Sequence, residues 1–396
     1  MKKGWEIKTL GDICENLDSK RVPVTKRDRQ EGKYPYYGAS GIVDYVNKFI
    51  LNEDLLLVSE DGANLLARTY PIAFSISGET WVNNHAHVLR FESMTIQKFV
   101  EYYLNSIPLD DYVSGMAQPK LNQAMLNSIE IPIPPLPEQQ RIVSVLDEAF
   151  ASIAQAKSNA ERNLVNAREL FESYLQNIFE NKGGAWEEKM LQDVVDANCT
   201  LSYGIVQPGE EYSNGLPVIR PTDLTKKVIT LDGLKRIDPR LADSYKRTTL
   251  TGDELLLCVR GSTGVVSVTS KELKGANVTR GIVPIRFNSE FINQEFGYYL
   301  LISGYVQKQI KEKTYGAALM QINIGDLREI LTPYPKSLAE QRAIVGRLEA
   351  LSAETGRLEE IYQQKVESLE ELKKSVLGKA FEGDLLDESD FAQKII

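Results

Sequence analysis

The sequence predicts an α+β protein built twice over: a mixed α/β globular segment followed by a long helix, then a second segment and helix of the same plan. Three observations predict it. Blocks of the chain recur in the same order at an offset of about 181 to 202 residues. A proline-rich hinge precedes each helix, and each helix carries an apolar stripe whose spacing alternates four and three. With 396 residues the chain can hold two or three cores.

Taken in order, Trp5-Glu6-Ile7-Lys8-Thr9-Leu10-Gly11-Asp12 returns as Trp186-Glu187-Glu188-Lys189-Met190-Leu191-Gln192-Asp193. Asp54-Leu55-Leu56-Leu57 aligns with Glu254-Leu255-Leu256-Leu257, and Gly115-x-Ala117 through Pro134 aligns with Gly316-x-Ala318 through Pro335. Strand-like runs at 55–58, 87–91, 255–259 and 282–287, and helical patterns at 96–105 and 291–313, make both segments mixed. Ile131-Pro132-Ile133-Pro134-Pro135-Leu136-Pro137 is extended, because proline blocks helix and restrains its predecessor. Helix starts near Glu138, with Pro137 suited to the first turn. Ser337 stands three residues before Glu340, a capping-box spacing, and Gly183-Gly184 and Gly383 are the stops.

The first stripe runs Ile142, Leu146, Ala149, Ile153, Ala156, Ala160, Ala167, Leu170, Tyr174. The second runs Ile344, Leu348, Leu351, Thr355, Leu358, Tyr362, Leu369, Leu372, Val376. At about 1.5 Å per residue, helices of roughly 43 residues span about 65 Å and need partners of similar length, so each is the candidate partner of the other. The resulting divisions are a first globular segment 1–137, a helix 138–182, a second segment 183–338, a second helix 339–382 and an acidic tail 383–396.

Composition bounds the function. Hydrophobic residues are 42% and charged residues 26%, the balance of a soluble folded protein. Neither a signal-peptide core nor a bilayer-length apolar run is present, and Cys14, Cys199 and Cys258 lie far apart without CxxC spacing. A cytoplasmic, reducing location is expected, with no membrane partner. The net charge of −9 is concentrated in residues 138–182 (−2) and 338–396 (−5), leaving local basic clusters elsewhere.

Enzymatic motifs fail one by one. Asp147-Glu148-Ala149-Phe150 resembles a helicase acidic box, but it lies inside the heptad helix and no GxxxxGK[ST] loop accompanies it. His85-x-His87 places two ligand types on one strand face; these are the only two histidines and no matching ligand set accompanies them, so a structural role is expected and no metal. Gly261-Ser262-Thr263-Gly264 lacks the rest of a dinucleotide fingerprint and reads as a turn able to touch a phosphate. There is no GxSxG elbow and no Asn-Pro-Pro-aromatic signature. No catalytic residue and no cofactor is expected on this chain.

Nucleic-acid chemistry fares better. Lys20, Arg21, Lys26, Arg27, Arg29 and Lys33 precede Tyr36, Tyr37 and Ser40. The second half offers Tyr203, Arg220, Lys226, Lys227, Arg260, Ser262, Thr263 and Arg280. Such cations neutralise phosphates, and arginine addresses guanine edges through two donors. A different class remains open: a coiled-coil scaffold binding proteins through duplicated domains.

Leu136-x-Glu138-Gln139-x-x-Ile142-Val143 and Leu338-x-Glu340-Gln341-x-x-Ile344-Val345, each behind a proline hinge, resemble the specificity subunit of type I restriction–modification systems. So do the doubled Trp-Glu opening and the closing Leu377-Gly378-Lys379-Ala380-Phe381-Glu382-Gly383-Asp384-Leu385. The resemblance covers nearly the whole chain. It implies two target recognition domains, each reading half of a split DNA site, linked and separated by two antiparallel helices about a pseudo-two-fold axis. It implies double-stranded DNA, two methyltransferase subunits and restriction translocase–nuclease subunits as partners, with S-adenosylmethionine, ATP and Mg held by those partners. Recognition domains vary between members, so the contact residues above rest on local chemistry alone. If the helices set the gap between half-sites, deleting one heptad from either shortens the unread spacer or abolishes binding while each half-site preference survives. Methylation mapping of the variants checks this, and an unchanged spacer contradicts it.

Overall fold

The computed structural model describes residues 4–115, 117–316 and 319–382. The tail expected at 383–396, the Gly383 stop and Ala318 of the repeat lie outside the described residues. The chain forms two compact units, one of Met1–Arg162 with Tyr362–Ile396 and the other of Asn163–Ile361. Both divisions fall inside the long helices Leu136–Glu180 and Leu338–Glu382, so each unit contains part of both.

In the first unit the opening block becomes strand Glu6–Thr9, antiparallel to hinge strand Glu130–Ile133 with Glu6 opposite Ile133. In the second, Trp186–Met190 pairs with Leu331–Pro335, Trp186 opposite Pro335. The two strongest repeats are therefore hydrogen-bonded partners. Their prolines occupy a two-stranded edge, where a missing N–H is tolerated. The motif that follows locks them in place. Gln139 and Gln341, both buried, donate to the Pro134 and Pro335 carbonyls at 2.8 Å, satisfying an acceptor that ladder and helix both leave free.

Beside this clasp, the first unit carries an antiparallel sheet ordered Glu15–Asn16, Ala86–Arg90, Leu55–Ser59, Ala73–Ile76. Leu55, Leu56, Leu57 and Val58 are all buried, hence a continuous apolar run rather than an alternating one. A second sheet holds hairpin Glu31–Gly38 and Gly41–Val46 beside Glu79–Val82 and Leu51–Asn52. Helix Met94–Ser106 packs Phe99, Val100 and Leu104 inward. The second unit repeats the three antiparallel core strands as Val266–Thr269, Leu255–Cys258 and Ile282–Ile285, and adds Val228–Ile229 parallel to Val266–Thr269 at the edge. The helical pattern at 291–313 is two helices, Gln294–Ile302 and Gly304–Lys313. Ser303 breaks it with ψ 147°, its side chain capping Val306 N–H and bonding the Leu300 carbonyl at 2.6 Å.

The helices run antiparallel within each unit. In the first, Phe150 lies 5.4 Å from the Lys373 ammonium, and Lys157, further along, pairs with Glu370 at 2.5 Å. In the second, Arg168 pairs with Glu359 at 2.9 Å. Ser337 caps Glu340 N–H at 3.4 Å as the spacing predicts. The helices begin at Leu136 and Leu338 rather than at 138 and 339, and the first ends at Glu180 rather than 182.

Ile142, Leu146, Ala149, Ile153 and Ala160 are buried in the seam, as are Ile344, Leu348, Leu369 and Val376. Leu351, Leu358 and Leu372 are half-buried. Leu170 is a correction: it is 51% exposed. Beyond Ala167 the stripe steps to Phe171, Tyr174, Leu175 and Phe179, whose larger side chains pack on the core of the second unit and turn Leu170 about 100° away. Leu348→Ala is expected to cost about 2–5 kcal/mol in urea unfolding, and Leu170→Ala to stay within about 0.5 kcal/mol. Equal losses contradict the revised stripe.

Candidate nucleic-acid interface

Both units present their loops from a repeated frame. Arg90 pairs with Glu15 and Glu53 at 2.7 and 2.6 Å; Arg286 pairs with Asp196 and Glu254 at 3.6 and 3.3 Å. After each central strand a glycine loop is stitched to a distant one. Leu121 N–H donates to Glu60 and Gly62 N–H to Pro119; likewise Ile322 N–H donates to Val259 and Gly261 N–H to Met320. Gly62 and Gly261 have φ of 111° and 89°, which a side chain would strain.

In the first unit, several of the expected DNA-binding side chains turn inward and are corrected to structural ones. Arg21 pairs with Asp18 and Glu60 at 3.3 and 2.5 Å and donates to the Ala86 carbonyl at 2.9 Å. Arg29 stacks 4.5 Å over Tyr36 and donates to Val24 O and Asp44, each at 3.1 Å. Tyr36 is buried and its hydroxyl accepts the Val24 N–H at 2.9 Å. Tyr37 packs against the inner cluster beside Phe74, and burial pushes its phenol pKa up. These four residues hold the loop that presents the others. Lys20, Lys26, Arg27, Lys33 and Ser40 are exposed, Arg27 with 92% of its side chain free.

The second unit sorts the same way. The Tyr203 hydroxyl donates to the Ile322 carbonyl at 3.3 Å while its ring packs on the core. Arg220 forks onto Asp223. The Lys227 ammonium bonds Tyr299 at 3.2 Å, and Thr263 donates to Met320 O at 3.1 Å. Arg260 is half-buried, with Nε enclosed and lacking a partner among the described residues. Tyr203, Arg220 and Thr263 are thus tied into the unit, whereas Lys227 remains exposed. Lys226, Ser262 and Arg280 are exposed. The glycine loop lines an open groove of about 600 Å³ with Lys308, Lys311 and Thr314. Sequence reasoning missed those lysines. Their i, i+3 spacing on one helix face was visible, but the pairing of loop 261 with loop 320 that brings them to the glycines was not.

The remaining candidates resolve as structure. His87 Nε2 lies 2.8 Å from the Leu121 carbonyl and Nδ1 lies 2.6 Å from the Asp18 carboxylate, so both ring nitrogens face acceptors. Glu60 is paired with Arg21 and Lys120. Asp18, Glu60 and His87 hold ligand atoms within 4.8 Å of one another, and each bonds or pairs within the unit. Asp147 of the acidic box accepts the Tyr102 hydroxyl. Burial raises the thiol pKa of all three cysteines, Cys14 to about 12, which keeps them from forming thiolates.

A family model described as the type I restriction modification DNA specificity domain matches residues 2–162 and again 184–368. The chain is 25% identical over 309 residues to the type I restriction enzyme EcoBI specificity subunit of Escherichia coli, covering 72% of this chain and 64% of that protein. It is 23% identical over 405 residues to the MjaVIII specificity subunit of Methanocaldococcus jannaschii, covering 96% and 93%. The crystal structure of the HsdS subunit from Thermoanaerobacter tengcongensis superposes with a TM-score of 0.59 at 18% identity over 97% of this chain and 98% of that one, a likeness of fold.

The Asp18 cluster sets an acid limit. Burial opposes ionisation of Asp18, but His87, the Val88 amide and Arg21 outweigh it; for Glu60, burial is outweighed by Arg21, Lys120 and His87. Both pKa values end below the ordinary carboxylate range. Carboxyls depressed on folding stabilise fully above their unfolded value of about 4 and lose that contribution as pH falls through the folded value. The urea midpoint is therefore expected to fall as pH drops below about 4, and Asp18→Asn to lower stability at pH 7 while flattening that acid limb. An unchanged acid limb contradicts the assignment.

Proposed function

The chain belongs to the type I restriction modification DNA specificity family, and from that premise we propose that it is the DNA-reading subunit of a type I restriction–modification complex in the cytoplasm. Each unit reads one half of a bipartite double-stranded target. The long helices dock two methyltransferase subunits, and restriction translocase–nuclease subunits join them. S-adenosylmethionine, ATP and Mg belong to those partners, which carry the chemistry. Among the described residues no helix is long and apolar enough to cross a membrane.

One observation supports this reading most: a recurring frame carries different exposed side chains. The clasp, the arginine–carboxylate pairs and the loop stitching recur in both units. Exposed cations on or beside these loops include Lys20, Lys26, Arg27 and Lys33 in one and Lys226, Lys227, Arg280, Lys308 and Lys311 in the other. Repeated structure with unrepeated donors is what two different half-sites require. Exposed lysine and arginine also favour DNA over a protein-binding scaffold.

Co-purification with the co-encoded methyltransferase, then mapping of methylated adenines at single-base resolution, is expected to yield one split motif with a fixed gap. Methylation without a split motif contradicts two readers, and a stable complex that never methylates favours the scaffold. In that complex, Lys26→Ala with Arg27→Ala is expected to weaken DNA binding and to lower the salt slope by about one for each phosphate no longer neutralised. Wild-type affinity and slope would remove both residues from the interface.

A further inference from the structure

The two clasps differ at one place. From the repeated arginine to the cap of the following helix is three residues in the first unit, Arg90 to Ser93, and seven in the second, Arg286 to Asn293. The extra residues in the second unit fold back over the clasp. Phe291 lies 4.2 Å beneath the Lys189 ammonium and 6.5 Å from the Tyr334 ring. Gln341 donates to the Phe291 carbonyl at 2.7 Å, and its Oε1 accepts the Asn293 N–H at 2.7 Å.

The residues of the first unit that correspond to Lys189, Tyr334 and Gln341 are Lys8, Ile133 and Gln139. All three line an open pocket of about 580 Å³, together with Ile13 and Ile96. Gln139 is 4% exposed, and its Oε1 is enclosed without a hydrogen-bond partner among the described residues. An unmet buried acceptor is costly enough that native structures rarely leave one. The second unit shows what meets it: an aromatic ring under the lysine, with a backbone N–H two residues later.

We propose that this pocket is the seat of a partner protein's segment, which inserts an aromatic side chain beneath Lys8 and donates a backbone N–H to Gln139. The shorter loop of the first unit opens the seat, and the longer loop of the second fills its counterpart from within. The proposal stands independently of DNA reading, since it needs only a protein partner.

The test uses the full chain, methyl-labelled at isoleucine, titrated with the peptide Asn-Ser-Glu-Phe-Ile-Asn-Gln, the chain's own residues 288–294. Signals of Ile13, Ile96 and Ile133 are expected to move at millimolar peptide, and a Phe-to-Ala peptide to act at least tenfold more weakly. No movement, or equal movement with the alanine peptide, overturns the seat. Gln139→Leu is expected to weaken the response. Because that change also removes the Pro134 bond, a second variant replaces Glu92-Ser93 with Asn-Ser-Glu-Phe-Ile-Asn; it is expected to stay folded and lose the response, and a retained response overturns the proposal. In the purified complex, a photo-cross-linking residue at Ile96 should attach to a partner subunit. Attachment to a second copy, or to this chain's own termini, reassigns the occupant and overturns the partner assignment.

Discussion

Everything else in this chain depends on a buried amide capping a proline strand. The hinge has to be extended to pair with the opening strand, and it has to turn at once into a helix of 45 residues. Proline supplies the extension but leaves carbonyls that neither ladder nor helix satisfies. Gln139 and Gln341 meet that need from the first helical turn, so strand, hinge and helix are fixed by one side chain each. The conjunction explains why Glu-Gln follows both hinges, and why the Trp-Glu opening, distant in sequence, repeats with them.

On this frame the charged residues divide by task. Arginines with planar, multiply bonded heads are drawn inward: Arg21 onto two carboxylates and a carbonyl, Arg29 onto a ring, a carbonyl and a carboxylate. Their forked geometry suits buried pairing. The cations left outside, such as Lys26 and Arg27, sit on turns that those inner contacts hold still. Rigid presentation reduces the ordering cost of binding.

The repeat, the hinges, the central strands and most of the helical seam were legible in the sequence, because local pattern or recurrence sets them. Leu170 was misplaced because continuing the heptad ignored the bulk of Phe171 and Leu175, which the core of the second unit receives. Ser303 was passed over because apolar spacing does not register a serine bonding back to Leu300. In the candidate interface, composition found the right loops but not the side chains' directions. Whether Arg29 faces out depends on Asp44, and whether Lys308 meets Ser262 depends on a loop pairing across the unit. Both are long-range facts.

The way the chain is shared between the units has a consequence for its synthesis. The second unit is one continuous stretch, Asn163–Ile361, whereas the first is completed only by Tyr362–Ile396. Val376 and Ala380 belong to the same core as Trp5 and Leu10, and Phe381 lies 5.3 Å from Phe99 and 5.2 Å from Tyr103. On a ribosome, Trp5, Leu10 and their neighbours must wait with an open core until Val376 and Ala380 are made. A stop codon ahead of Val376 would thus damage the unit built around Trp5 and Leu10, far from the lesion in sequence.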